Sequence, residues 1–422
     1  MFDIYLPVVA LAPALIYFVP EGISASTATL IGGTIFAATL VGRPLGALIF
    51  GQFADTIGRK RTTIIAVTGF GVMSVALAVL PGYETWGIFA VILFILIRFV
   101  DGIFVGGEYT AASPLAMEYC PQEKRGLYGA LIMTGFPLAF VFISLITFLM
   151  LSLVPAGGLD SPYVQWGWRI PFLFGALLAF AFVAYFYFFV DESELFEASG
   201  GSDESPLKTL FSGQDLKNFI QVFVLMSGFW LTLNMVSAVL PGLLGSELGL
   251  SGTSTSVVLI IAYLALTGGY VAAGVISQRV GRRPFLIWIG IAMGTIGTFF
   301  YYLLISLAPQ NVVVAAILTT VIAVVVVSNW GLATTYINER FHTTVRASGF
   351  GLGYSLAVII PSFYAFYQVG LGTIMPSKYT ALPLLVIGSA LVVIGAAMGP
   401  ETKDVDFSKE DEIQKEKQKA NA

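Results

Sequence analysis

Twelve stretches of about 20 apolar residues recur along this chain, the length that roughly 30 Å of hydrocarbon demands of a helix. They lie near 2–20, 27–53, 63–81, 86–118, 126–154 and 168–190, then 218–246, 253–278, 284–307, 310–338, 347–370 and 378–399. Of 422 residues 57% are apolar and only 11% charged, whereas soluble globular proteins average roughly 25% charged. The chain therefore reads as an all-α membrane protein whose first partner is the lipid bilayer.

The polar residues fall into a simple plan. The long polar stretch 191–217 reads as a linker, and it divides an N-terminal six-helix bundle (1–190) from a C-terminal one (218–399). Residues 400–422 form a polar tail of alternating charge, helical and solvated or disordered. Placing both termini on one side puts 17 of the 21 Lys and Arg in the loops, linker and tail of that side. Arg43 and Arg98 lie within spans, and Arg169 and Lys378 near the other face. By the positive-inside rule both termini are cytoplasmic and the protein is a multi-pass protein of the cell membrane.

Several function classes drop out. One cysteine, Cys120, provides neither an intramolecular disulfide nor a Cys-rich metal site. The single His342 sits in a loop, which rules out a histidine relay. No nucleophile–base set, metal cluster or nucleotide loop is visible, and GFGLGYS at 349–355 lies in an apolar span. No enzyme, metal, cofactor or nucleic-acid partner is expected, and a monomer is. No signal peptide precedes the first span. A channel or sensor fits poorly, because the halves are duplicated and no soluble domain would transmit a signal.

The duplication is legible in the loops. GQFADTIGRKR at 51–61 aligns with GVISQRVGRRP at 274–284 at an offset of 223, keeping both glycines and the basic pair. Glu118 with Arg125 aligns with Glu339 and Arg346 at an offset of 221, each pair seven apart. Two parallel six-helix halves related by an axis along the membrane normal would produce this pattern.

The loop G-x-x-x-D-x-x-G-R-K-R resembles the signature of the major facilitator superfamily. FDIYL at 2–6, GRPLGALIFGQFADTIGRKR at 42–61, and GGEYTAA through EYCPQEKRG resemble its metabolite:proton symporters, which carry dicarboxylates, shikimate and proline or betaine. Aromatic-acid:proton symporters and sugar porters are near neighbours. The resemblance implies twelve transmembrane helices in two pseudo-symmetric six-helix bundles, alternating access, and proton-coupled symport of a small organic acid or zwitterionic metabolite. It also implies a cytoplasmic gate at Gly51, Asp55, Gly58, Arg59, Lys60 and Arg61, with a latch at Glu118, Arg125, Glu339 and Arg346. Two departures stand out: Asp3 lies at the very start of the first span, so that span is short or begins upstream. Gln278 replaces the second Asp, which weakens a charge-based gate in that half.

Within the spans, the ionisable residues are Asp3, Arg43, Arg98, Asp101 and Glu108, all in the first half. A proton carrier is therefore Asp101, Glu108 or Asp3. Arg98 and Asp101 stand at i, i+3, so a permanent structural pair competes with that role. Gly102 and Gly106, four apart, suit close helix packing. Arg43 lies about 18 Å along a helix from Asp55, where a cation needs a carboxylate partner or an anionic substrate. Asn234, Tyr263, Tyr270, Asn329, Trp330, Tyr354 and Tyr364 would complete a pocket from the second half, although each alone reads more often as packing. The run AFAFVAYFYFFV at 179–190 is lipid-facing bulk. Competing functions are a sugar porter or facilitator without proton coupling, and a drug:proton antiporter, whose fifth-span motif TGFPLAFVF at 134–142 does not reproduce.

Overall fold

The computed structural model describes residues 2–20, 22–57, 59–118, 120–189, 210–341 and 343–407, with side chains described except at 2, 3, 25, 51, 52, 54–57, 59, 108–112, 114, 115, 118, 343, 344 and 347. Among them, eleven helices are long and apolar enough to cross a membrane, from Ser26–Phe50 to Ser377–Met398. Numbering the spans in chain order with 2–20 as the first makes these eleven spans 2 to 12. The expected first span is shorter than the rest. It is an α-helix, Phe2–Val9, continued by a 3₁₀ helix, Ala12–Tyr17. Pro7 and Pro13 each remove a backbone donor, and Pro13 opens the tighter turn. Ile4, Tyr5, Leu6, Val9 and Leu11 are nevertheless buried, so the segment fills the first-span position in its bundle.

Within the first half, span 2 (Ala25–Ile57) packs along span 4 (Ile88–Glu118), and span 3 along span 6. The closeness of spans 2 and 4 follows from four glycines. Gly42 and Gly46 face the carbonyls of Phe99 and Ile103, while Gly102 and Gly106 face those of Thr39 and Arg43. At each site a Cβ would collide with backbone, so only small residues permit this approach. In the second half, span 7 packs on span 12 and span 8 on span 10.

The halves meet along two seams, span 5 against span 8 and span 2 against span 11. At the end carrying the basic loops, Gly126 and Gly274 lie backbone to backbone. Toward the opposite end Gly33 touches Ala365. Contacts thus close the molecule on both sides of its centre. At that opposite end Arg169 ties three spans together, donating to Tyr17 Oη (3.0 Å) and the Leu80 carbonyl (3.2 Å) beneath the rings of Tyr17, Trp166 and Trp168.

Candidate functional site

Arg43 is 1% exposed at the middle of the molecule. Its backbone is held against span 4 by Gly106, while its guanidinium crosses to the other half. There it lies 5.3 Å from the Trp230 ring centroid and 5.2 Å from that of Tyr354. Its Nε and Nη1 have no hydrogen-bond partner among the described residues. A buried cation whose Nε and Nη1 lie against aromatic faces without acceptors among the described residues is short of hydrogen bonds that would offset its desolvation.

Aromatic side chains from both halves surround it. Trp330 packs on Trp230 at 4.7 Å and on Tyr354 at 5.8 Å. Tyr5 touches Phe36, Phe136 and Phe140 at 5.6, 5.0 and 5.3 Å. Across the seam, Phe140 stacks on Tyr263 at 3.9 Å, Phe136 lies parallel to Tyr270 at 6.5 Å, and Phe36 meets Tyr364 at 6.0 Å. The expected second-half aromatics thus fall in two groups, Trp330 and Tyr354 on the Arg43 side and Tyr263, Tyr270 and Tyr364 against first-half rings. Sequence reasoning missed Tyr5, Phe36, Phe136, Phe140 and Trp230. Phe136 and Phe140 stand four apart in span 5, a helical-face signal that was available.

Breaks in helical regularity place the polar members. Asn234 immediately precedes a π turn, Met235–Val239, in span 7. It donates to the Pro361 carbonyl at 3.0 Å, and its Oδ1 has no partner among the described residues. Asn329 and Trp330 sit in a 3₁₀ turn, Ser328–Leu332, that interrupts span 10. Asn329 is fully buried with neither side-chain polar atom hydrogen-bonded among the described residues. The indole N–H of Trp330 donates to the Phe229 carbonyl (3.3 Å), and Tyr263 donates to Ser237 Oγ (2.7 Å). Orphaned amide atoms at this depth mark where a polar ligand or water would be satisfied.

Arg98 and Asp101 form a fully buried ion pair at 3.1 Å, and Arg98 Nη2 donates to the Ile4 carbonyl at 3.2 Å. The pair joins span 4 to span 1. The other expected acids, Asp3 and Glu108, lie outside the described residues.

The basic end is closed by neutral hydrogen bonds between the halves. Gln278 accepts from the Gly126 amide (3.0 Å) and donates to the Gln122 carbonyl (3.3 Å), and Thr335 donates to the Arg125 carbonyl (3.1 Å). Gln278, the apparent weak point of the second loop, thus bridges the halves directly. Gly51, Asp55, Gly58, Arg59, Glu118 and His342 lie outside the described residues. Lys60 is half-buried and Arg61 exposed at the start of span 3.

The expected Glu339–Arg346 pair does not form. Glu339 is instead bound through both oxygens by Arg282, Nε to Oε2 and Nη2 to Oε1, each 3.2 Å, and accepts from Thr402 at 2.8 Å. Arg282 begins span 9, next to the end of span 10. Arg346 turns away, donating to the Phe341 carbonyl at 3.1 Å and stacking on Phe407. The seven-residue spacing repeats, but a third helix supplies the nearer cation. Gly281 adopts φ +104°, which only glycine takes readily. This brings the Arg282 and Arg283 amides onto the Glu401 carboxylate at 2.8 and 3.1 Å, a charge-assisted cap at a helix N-terminus.

The comparison with known proteins is decisive at family level. A model described as Major Facilitator Superfamily matches residues 1–365. The chain belongs to the major facilitator superfamily. It is 33% identical over 296 residues to the inner membrane metabolite transport protein YhjE of Escherichia coli K12, covering 68% of this chain and 65% of that protein, just under two thirds of its length. It is 26% identical over 385 residues to the shikimate transporter of Escherichia coli K12, covering 89% and 85%. The crystal structure of a D-xylose-proton symporter superposes with a TM-score of 0.72 at 21% identity, covering 95% of each chain, a likeness of fold. This facilitator is a multi-span helical membrane transporter and not an enzyme. The candidate site joins residues of the two halves, where transporters built from repeats bind substrate.

Proposed function

We propose that this protein is a proton-coupled symporter of a small organic acid or zwitterionic metabolite. It works by alternating access in the cell membrane as a monomer, with both termini cytoplasmic. The observation that carries this reading is Arg43, buried between the halves with Nε and Nη1 unpartnered among the described residues. A substrate carboxylate would supply the missing hydrogen bonds in bidentate geometry. Asn234, Asn329 and the rings of Tyr263, Tyr270, Trp330, Tyr354 and Tyr364 would orient the remainder. The relatives named for metabolite and shikimate transport support an acid substrate.

Proton carriage falls to Asp101, with Glu108 and Asp3 as alternatives. Asp101 is held by Arg98 in this state, so a movement that separates the pair would free the carboxylate to take a proton. The gate comprises the Asp55 loop and the Arg125, Gln278 and Thr335 contacts, which must part for the basic end to open. Positive charge concentrated at that end supports its placement in the cytoplasm.

A second reading has one observation in its favour. The fully buried Arg98–Asp101 pair also suits a facilitator in which those charges are permanent props. Uptake into proteoliposomes, with and without an inward proton gradient, separates the two. Accumulation only with the gradient, lost in Asp101→Asn, supports symport through Asp101. Uptake indifferent to the gradient identifies a facilitator, and gradient-driven uptake retained in both Asp101→Asn and Glu108→Gln leaves only Asp3.

A further inference from the structure

The acid reading leaves the number of substrate charges open, and the ionisable groups of the spans decide it. We infer that the central site takes substrates with one carboxylate and discriminates against dicarboxylates. This rests on the proposed acid uptake and narrows it.

Away from the span ends, the chain carries two cations, Arg43 and Arg98. Arg98 is committed to Asp101 at 3.1 Å, with both side chains fully buried. Arg43 presents Nε and Nη1, which have no hydrogen-bond partner among the described residues, beside Trp230 and Tyr354. The second half contributes only neutral groups there: indoles, phenols, and the amides Asn234 and Asn329 with their free polar atoms. The other ionisable groups within the spans are Asp3 and Glu108, and neither could neutralise a second anion. One carboxylate is therefore matched by one cation. A second would be buried among rings and amides without a counter-charge, a situation that costs far more than the hydrogen bonds of two carboxamides return. Hydroxyl or carbonyl groups on the body, by contrast, are what orphaned amides accept or donate to.

The selectivity belongs to the state in which Asp101 is ionised and holds Arg98, the state that the test populates.

The test uses matched pairs in which only charge differs: terephthalate with monomethyl terephthalate, and succinate with monomethyl succinate. Benzoate serves as a parent compound. Binding to the purified full chain is measured by titration calorimetry at a pH above all carboxyl pKa values. The expected result is that a monoester binds at least about a hundredfold more tightly than its dianion. Arg43→Gln should weaken monoester binding itself, while thermal unfolding confirms a folded protein. A dianion that binds within about tenfold of its monoester, or more tightly, overturns the inference but leaves acid uptake standing. If no acid of either series binds, acid uptake itself fails and the inference falls with it.

Discussion

The guanidinium of Arg125 lies over the ring of Phe407, 3.5 Å from its centroid. Arg125 belongs to the first half, and Phe407 to the segment that leaves the last span. The guanidinium of Arg346, from the second half, lies 3.9 Å from the same centroid. Arg125 Nη1 also donates to the Val405 carbonyl at 2.6 Å. One ring thus joins arginines from both halves across the basic end, and any opening there must strip it from at least one of them.

Phe407→Ala should therefore weaken closure of the basic end. Each desolvated cation–π contact is worth about 0.5–2 kcal/mol, so the closed-to-open ratio should fall by roughly tenfold. Site-directed labelling at the basic end should quicken, and unchanged labelling would make the contact incidental.

Cys120 is a ready reporter for that opening, being the one cysteine in the chain. It is buried, and burial pushes its thiol above the ordinary value, against the opposing pull of Arg125 and Lys124. The thiolate is the reactive form, and a raised pKa leaves less of it at neutral pH. Maleimide labelling should stay slow through about pH 8.5 and climb only above it. In Phe407→Ala the thiol becomes exposed, and the profile should slide back toward the ordinary cysteine range.

Gly126 and Gly274 should not tolerate side chains in this closed state. A Cβ on either meets the carbonyl of the other, and backbone cannot give way as a flexible side chain can. Gly274→Val should hold the basic end apart, cutting transport severalfold while leaving the fold intact. Normal transport with normal Cys120 labelling would show that the seam is slack.

The buried Arg282–Glu339 pair should behave asymmetrically. Glu339→Ala strands a fully buried guanidinium and should cost about 3–5 kcal/mol of stability. Arg282→Met with Glu339→Leu removes both charges and should be less damaging than the single change. Thermal unfolding of the wild type and the two variants measures this, and a double variant as damaged as Glu339→Ala or more would argue against a coupled pair.

Much of this was written in the sequence. Runs of about 20 apolar residues compel spanning helices because lipid offers the backbone no hydrogen bonds. The two half-loops at one offset required a duplicated architecture. Glycines 102 and 106, four apart, foretold a close helix contact, and Arg43 stood out because an unpaired mid-membrane cation is costly wherever it points. These are local properties, fixed by composition and spacing. Which groups meet across helices is a different matter. Glu339 found Arg282 rather than Arg346, Gln278 became a bridge between halves, and Phe407 reached back to Arg125, because each partner comes from a separate segment. Tyr5 and Trp230 looked like ordinary bulk until packing placed them around the Arg43 cluster. Sequence sets which side chains must be buried in a bilayer; the crossing of helices alone decides which of them are neighbours, since contacts at 3–6 Å depend on helix rotation and tilt that no single span encodes.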